Sequence, residues 1–405
     1  MMKTYHKPSY FMLFTTLIIT ITSSTSFVHG LNVIDKCWRT NPNWRSQRQY
    51  LAKCSVGYSG KMTNNIGNDV VIYKVTDNSD DPLNPKPGTL RYAMTHIKGK
   101  IWVTFEQNMK IRLQKPLLVS SFTTIDGRGA KVNIAGGACL MLQRVRNINT
   151  IFVIIHGLRI HHCKAQTASR VMGPDKKIVN VGAVDGDAIR MVTSSKIWID
   201  HNTLYESEDG LIDVTRGSTN ITISNNWFRT QNKVMLLGHD DGYLRDKNMK
   251  VTVAFNYFGP NCNQRIISRL KTVTYKNKFC RVRHGYAHVV NNIYKGWGNY
   301  AIGGSMNPSI KSQANYFYAP KDGKKEDTMM QVTWKKESGV VGEVAGNFQS
   351  VEDVFANGAC FNGSGSGRGS VKPNYSPEQA FPVEDGHKVK DLTRNAGALK
   401  CSSTC

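Results

Sequence analysis

The stretch "IWIDHNTLYESEDGLIDVTRGSTNITISNNWF", from Ile197 to Phe228, repeats itself. Both "IWIDHNTL" and "ITISNNWF" place apolar residues at alternate positions, the period of a half-buried strand. Each also carries an asparagine two positions before an apolar or aromatic residue: Asn202 before Leu204, and Asn226 before Phe228. The pattern continues in "VTVAFNYF", "HVVNNIY" and "SQANYF", with the pairs Asn256/Phe258, Asn292/Tyr294 and Asn315/Phe317. Successive asparagines stand 24, 30, 36 and 23 residues apart. Short strands recurring every twenty-odd residues mark a solenoid. Coils of three short strands stack about 4.8 Å apart. Each coil then buries its apolar face on its neighbours, and stacked asparagines hydrogen-bond in a ladder. The sequence therefore predicts an all-β parallel β-helix. A β-sandwich, with turn signals about every 8–12 residues, does not explain an asparagine–aromatic pair at coil spacing.

A solenoid needs its open ends covered. "NPNWRSQRQYLAKCSVGYSG" (Asn41 to Gly60) has helical character and puts Trp44, Tyr50 and Leu51 on one apolar face, so an N-terminal capping helix is expected over about 38–60. Towards the other end, "NGSGSGRGSVKPNYSP" (Asn362 to Pro377) reads as a Gly/Ser-rich loop in a loop-rich C-terminal tail. The first thirty residues stand apart. Lys3 and Lys7 precede the apolar run "YFMLFTTLIITI" and the small and polar residues ending "SFVHG", the pattern of a secretory signal peptide. The run is too short to span a bilayer easily, and no second run approaches the twenty or so residues required. One domain, 31–405, is expected, secreted and outside any membrane.

An oxidising compartment makes disulfides plausible. The chain has 9 cysteines, an odd number, so at least one thiol is left over. Cys37–Cys54 and Cys139–Cys163 are the expected bridges, with Cys262–Cys280 and Cys401–Cys405 as weaker pairings; no Cys/His spacing suggests zinc. Asn220, Asn362 and Asn374 lie in glycosylation sequons.

The formal charge is +24, of which two lysines belong to the leader. A strongly basic chain meets polyanions, and outside a cell an acidic polysaccharide is more available than nucleic acid. Against this background the acids concentrate in two places. "VGAVDGDAIRM" holds Asp185 and Asp187, and "ESEDGLIDVTRGS" holds Glu206, Glu208, Asp209 and Asp213. Asp185 and Asp209 are one coil step apart, which sets them on one face in adjacent coils. Oxygen ligands at flexible spacing suit Ca²⁺, and turn aspartates are the bland alternative. Lys233, Arg265 and Arg283 follow within the next coils. Acids on one coil and bases on the next make a groove for a cation and an acidic ligand together.

These strings also carry a resemblance. "IWIDHN", "DGLIDVTRGSTNITISNNWF", "VMLLGHDD" and "RVRHGYAHVVNN", together with "NPKPGTLRYA", "TIDGRGA" and "AIGGS", resemble the plant pectate lyases from about Cys37 to the last cysteine. The resemblance implies a right-handed parallel β-helix, acting as a monomer on polygalacturonate by calcium-dependent β-elimination. It implies Asp185, Asp209 and Asp213 as Ca²⁺ ligands, with Asp187 as a helper. Lys233 and Arg283 would bind substrate, and Arg265 would act as the catalytic base.

The resemblance breaks in one place. The family reads roughly Q-R-M-P-R-x-R-H-G-Y, whereas this chain has fifteen residues, "IISRLKTVTYKNKFC", where two are expected. The long step from Asn256 to Asn292 shows the same insertion independently. Three readings follow. The insert loops out and leaves Arg265 in place; or Lys278, five residues before Arg283, takes the catalytic register; or the insert is absent from the natural transcript. A catalytically impaired, pectin-binding β-helix is the functional alternative. A hydrolase would need paired carboxylates, for which only Asp240 and Asp241 stand out, and no nucleic-acid-binding motif is present.

Overall fold

The computed structural model describes residues 30–143, 150–262, 278–297, 300–321, 329–331, 347–361, 371–399 and 401. Its strands form a right-handed parallel β-helix with three strands to a coil. One coil shows the plan. Ile189–Val192 lies on what we call the second face, Ser194–Asp200 on the first and Thr203–Tyr205 on the third. The chain then returns to the second face as Ile212–Thr215, in parallel register with Ile189–Val192. Lys278–Val290 is long enough to turn a corner, pairing first with Lys233–Leu237 on the second face and then with Lys250–Ala254 on the first.

The register explains the apolar spacing. Ile197, Ile221, Val251, Ala287 and Ile310 are successive partners across the first face, and all are buried. At the start of the third face the asparagine ladder forms. Asn202 Nδ2 donates to Asn226 Oδ1 (3.1 Å), Asn226 to Asn256 (3.1 Å), Asn256 to Asn292 (2.9 Å) and Asn292 to Asn315 (3.0 Å). The last rung is an aspartate: Asn315 Nδ2 donates to Asp353 Oδ1 (3.1 Å). Two residues beyond each rung from Asn226 onward, Phe228, Phe258, Tyr294, Phe317 and Phe355 stack with centroids 4.5–5.4 Å apart.

The residue before every rung has left-handed backbone: His201, Asn225, Phe255, Asn291, Ala314 and Glu352, at φ 49–57°. Such a conformation costs about 1–3 kcal/mol at a non-glycine residue and persists only where its surroundings over-determine it. Here the rung supplies that. Its side-chain oxygen accepts both the side-chain and the backbone N–H of the preceding rung, as Asn256 Oδ1 does from Asn226 N (2.9 Å).

The N-terminal segment differs from expectation in detail. Its α-helix is Val33–Arg39, capped by the Asn32 side chain; Arg48–Lys53, Gly57–Ser59 and Thr63–Asn65 are 3-10 turns. Trp44 and Leu51 are buried, but Tyr50 is 41 % exposed. The segment lies along the flank of the stack, where Ile34, Trp38, Trp44 and Leu51 pack on Trp102, Ile154, Trp198 and Phe255. A second helix, Leu90–His96, puts Leu90, Ala93 and Met94 into the core beside Val75, Ile101 and Val103 of the first coils.

The "WIDH" aspartate and histidine belong to this flank. Asp200 binds His156 Nδ1 (2.9 Å) and Ser224 Oγ (2.6 Å), while His201 Nε2 lies 2.7 Å from Asp35. Burial alone would lower His201, but Asp35 and Asp200 outweigh it and hold the imidazole above its ordinary pKa.

Cys37–Cys54 and Cys139–Cys163 are bridged, and Cys401 is disulfide-bonded; Cys405 lies outside the described residues. The Cys262–Cys280 pairing is wrong. Cys262 is a free, buried thiol against the Phe228 carbonyl (3.3 Å), just after the third-face strand Tyr257–Phe258, whereas Cys280 is a partner of Met235 on the second face. The signal peptide and residues 362–370 of the Gly/Ser-rich loop also lie outside the described residues.

Candidate active site

The corner from the third face to the second brings the acids together. Asp185 and Asp187 precede the strand Ile189–Val192, and Asp209 precedes Ile212–Thr215 one coil later. One oxygen from each of Asp185, Asp187 and Asp209 lies within 4.8 Å of the others. Asp213 is not in that trio. It is buried beside Asp187, and both Asp187 and Asp213 crowd Gly210: a Cβ there would stand 2.7 Å from an oxygen of each. The Gly210 N–H donates to Asp187 Oδ1 (2.8 Å). The glycine in "EDGLID" is thus a packing requirement of the site, not only a turn residue.

Crowding shows in the electrostatics. Burial, then Asp185 and Asp209, push the Asp187 carboxyl up to about 7; burial, then Asp187 and Asp209, raise Asp213 well above the carboxylate range. Two cations face the group. Arg190 pairs with Asp185 (3.0 Å), and Lys233, one coil beyond Asp209, pairs with Asp209. Half-burial works against the Lys233 charge, but Asp209, Asp213 and Asp185 outweigh it and raise its pKa. Gln231 holds the corner in shape, accepting from Ser207 N (2.8 Å) and donating to the carbonyls of Ser207 and Asp209. Glu206 and Glu208 turn away, to His162 (3.3 Å) and Lys164 (2.9 Å).

Arg283 stands at the other end of the second face. Its guanidinium donates to the carbonyls of Gly238 (3.0 Å) and His239 and lies 3.5 Å from Asp241. Gly238 follows Lys233 by five residues, so about 16 Å of strand separates the two ends. The pairing of Lys278–Val290 with Ile302–Gln313 slips between Val282 and His284, at Arg283 itself. Arg265 lies outside the described residues. The backbone of Lys278 is the register partner of Lys233. The described strands Tyr257–Phe258 on the third face and Lys278–Val290 on the second stand on either side of residues 263–277, which lie outside the described residues.

Sequence reasoning missed Arg190, Gly210 and Gln231. Arg190 is 23 residues before its register partner Asp213, and Gln231 is 24 after Ser207, so the coil step applied to every polar residue near the acids would have found both. It also missed the antiparallel hairpin Ser169–Met172/Ile178–Val181, whose Val171 and Val181 pack on Leu118 and Met141 beside the acidic corner.

The comparisons with known proteins agree with this geometry. A family model described as pectate lyase matches residues 52–366. Pectate lyase 1 of Cryptomeria japonica is 45 % identical over 383 residues, covering 93 % of this chain and 96 % of the relative. Putative pectate lyase 2 of Arabidopsis thaliana is 46 % identical over 372 residues, covering 92 % and 90 %. The crystal structure of jun a 1, the major allergen from cedar pollen, superposes with a TM-score of 0.79 at 44 % identity, covering 91 % of this chain and 99 % of that one. On these matches and on its β-helix, the chain belongs to the pectate lyase family of enzymes.

Proposed function

We propose that the chain is a secreted, calcium-dependent pectate lyase that cleaves de-esterified homogalacturonan by β-elimination. The observation that carries this reading is the oxygen-only acidic corner beside Lys233. Asp185, Asp187 and Asp209 offer carboxylate oxygens within 4.8 Å of one another, with Asp187 and the neighbouring Asp213 raised by burial and mutual repulsion. That donor set fits a hard divalent cation. Asp185, Asp187 and Asp209 would hold Ca²⁺, with Asp213 beside Asp187. When bound, the ion would draw charge from a galacturonate carboxylate and acidify the proton on C5.

The chain's own residues do the rest. Lys233 exchanges Asp209 for a substrate carboxylate, and Arg283 holds the chain at the far end of the face. A base removes the C5 proton, the C4–O4 bond breaks, and the electrons left on C5 form the C4–C5 double bond; the departing oxygen takes up a proton. Arg265 fills the base role by its family string. Free arginine stays protonated, so it acts through its neighbours or by stabilising the developing carbanion. A second reading has an observation in its favour: Lys278 occupies the register position beside Lys233.

The test is growth of the unsaturated-uronide absorbance on polygalacturonate, with calcium and with chelator. Calcium-dependent growth that disappears in Arg265→Ala assigns the base to Arg265; disappearance only in Lys278→Ala assigns it to Lys278. Binding without product would leave the impaired β-helix as the function.

A further inference from the structure

The third face carries a pocket of about 490 Å³, around the corner from the acids. Met109–Ile111, Val132–Ala135, Arg159–His161, Thr203–Tyr205 and Trp227–Arg229 are successive parallel neighbours there. Their pleat turns Lys110, Asn133, Arg159, Tyr205, Trp227 and Arg229 to the pocket. Lys131 completes the rim, and among the described residues no aspartate or glutamate lines it.

Four cations therefore meet on one concave surface. None forms an ion pair with a described residue. The Arg229 guanidinium lies 4.1 Å from the Tyr205 ring centre and 5.0 Å from that of Trp227, and His161 stacks on Tyr205 at 4.4 Å. Arg159 Nη2 donates to the Ala398 carbonyl (3.0 Å). Arg159 Nη1 and Arg229 Nε are buried with no hydrogen-bond partner among the described residues. Burial, and then His162, Lys110, Arg229 and Arg159, push His161 down to about 4, so the pocket is positive even to a neighbouring imidazole. Solvated surface lysines repel one another away; here Arg229 is fixed by ring stacking and Arg159 by the Ala398 carbonyl, each with an N–H group unspent. That arrangement awaits an anion with a face to stack.

We propose that this pocket is a second, non-catalytic binding site for a carboxylated glycan. Uronate carboxylates pair with Arg159, Arg229 and the two lysines, and a sugar ring packs against Trp227. The choice of a uronate over other anions rests on the function proposed above. Tyr205 and Asp209 are four residues apart, as are Arg229 and Lys233, so the two sites are joined by at most about 14 Å of chain. The pocket anchors a polymer beside the cleft without entering the reaction.

The test is calorimetric titration of the mature protein with trigalacturonate in the presence of chelator. A neutral galactose trisaccharide and inorganic sulfate are the comparison probes. Expected is a binding event weakened at least tenfold in the double variant Lys110→Ala/Lys131→Ala and in Arg229→Gln, and unchanged in Lys233→Ala. Lys110 and Lys131 are exposed, so their removal spares the fold; the double variant keeps wild-type turnover of soluble trigalacturonate. An unchanged isotherm in the double variant overturns the proposal, as does equal affinity for the neutral sugar or for sulfate. If binding behaves as expected but no lyase product ever forms, the second site stands and the proposed function fails.

Discussion

Replacing Asn256 with alanine removes the central rung of the ladder. Its side chain makes four hydrogen bonds in a fully buried setting. Oδ1 accepts from Asn226 N (2.9 Å) and Asn226 Nδ2 (3.1 Å), and Nδ2 donates to Ile223 O (2.9 Å) and Asn292 Oδ1 (2.9 Å). Not all four losses are equal. Asn292 Oδ1 still accepts from Asn256 N (2.9 Å), and Ile223 O belongs to a strand ladder. The groups left stranded are Asn226 N and one proton of Asn226 Nδ2, whose other bond goes to Ile199 O. A stranded buried donor costs about 1–3 kcal/mol, so the variant should lose about 2–6 kcal/mol. The strained corner at Phe255 also loses its brace. The assay is equilibrium urea unfolding followed by tryptophan fluorescence, with the exposed Lys74→Ala as a control expected within about 0.5 kcal/mol of wild type. Asn256→Asp separates the two halves of the rung, since a carboxylate accepts from Asn226 but cannot donate to Ile223 and Asn292. It should fall between wild type and alanine only where the acid is protonated. A loss below about 1 kcal/mol in Asn256→Ala would refute the reasoning, because the ladder would then be a by-product of coil stacking.

Gly210→Ala forces Asp187 and Asp213 apart from a Cβ at 2.7 Å; calcium affinity should fall about 10- to 100-fold, as when a metal's supporting contacts are removed, read by titration with the ion. Calcium at about 100 times its Kd should add about 2.7 kcal/mol to wild-type stability, and the gain in melting temperature should vanish with chelator and in Asp209→Asn. Burial alone would raise Asp126, but Arg128 and Arg48 outweigh it and hold its pKa below the ordinary value. Its contribution to stability is therefore present above its unfolded pKa of about 3.9 and lost as the pH falls below that. Wild type should converge on Asp126→Asn in melting temperature on acidification, and a constant difference would contradict this. Burial pushes the Cys262 thiol up to about 12, so a thiol reagent at neutral pH should label it only after denaturant is added.

The ladder was readable because the five rungs from Asn202 to Asn315 spend the same residue on the same task, so chemistry recurs where coil length does not; the aspartate rung at Asp353 broke the pattern and was not read. The first-face strands also alternate over five or more residues, long enough for a period to register. On the third face the strands shrink to between two and four residues, as in Tyr257–Phe258, and carry no period of their own; only the rung before them marks their place. The acidic corner was legible as two clusters one coil apart. What spacing alone did not divide was how closely each acid approaches: Asp185, Asp187 and Asp209 bring oxygens within 4.8 Å of one another, while Asp187 and Asp213 both press on Gly210. The flank was misjudged at Tyr50 because a sequence of 3-10 turns does not keep the helical stripe that would have buried it. The Cys262–Cys280 pairing failed because closeness in sequence is not closeness in a coil that turns a corner between them.

The rungs of the ladder are 24, 30, 36 and 23 residues apart in sequence, yet each is one hydrogen bond from the next. Pitch and perimeter are independent quantities in this thread. Vertical spacing is fixed by strand pairing and by the asparagines, while the girth of any one turn is left free. A chain built this way can lengthen a single corner and present a different cleft above an unaltered column. New specificity then requires no renegotiation with the core, and the cost of trying it falls on one corner alone.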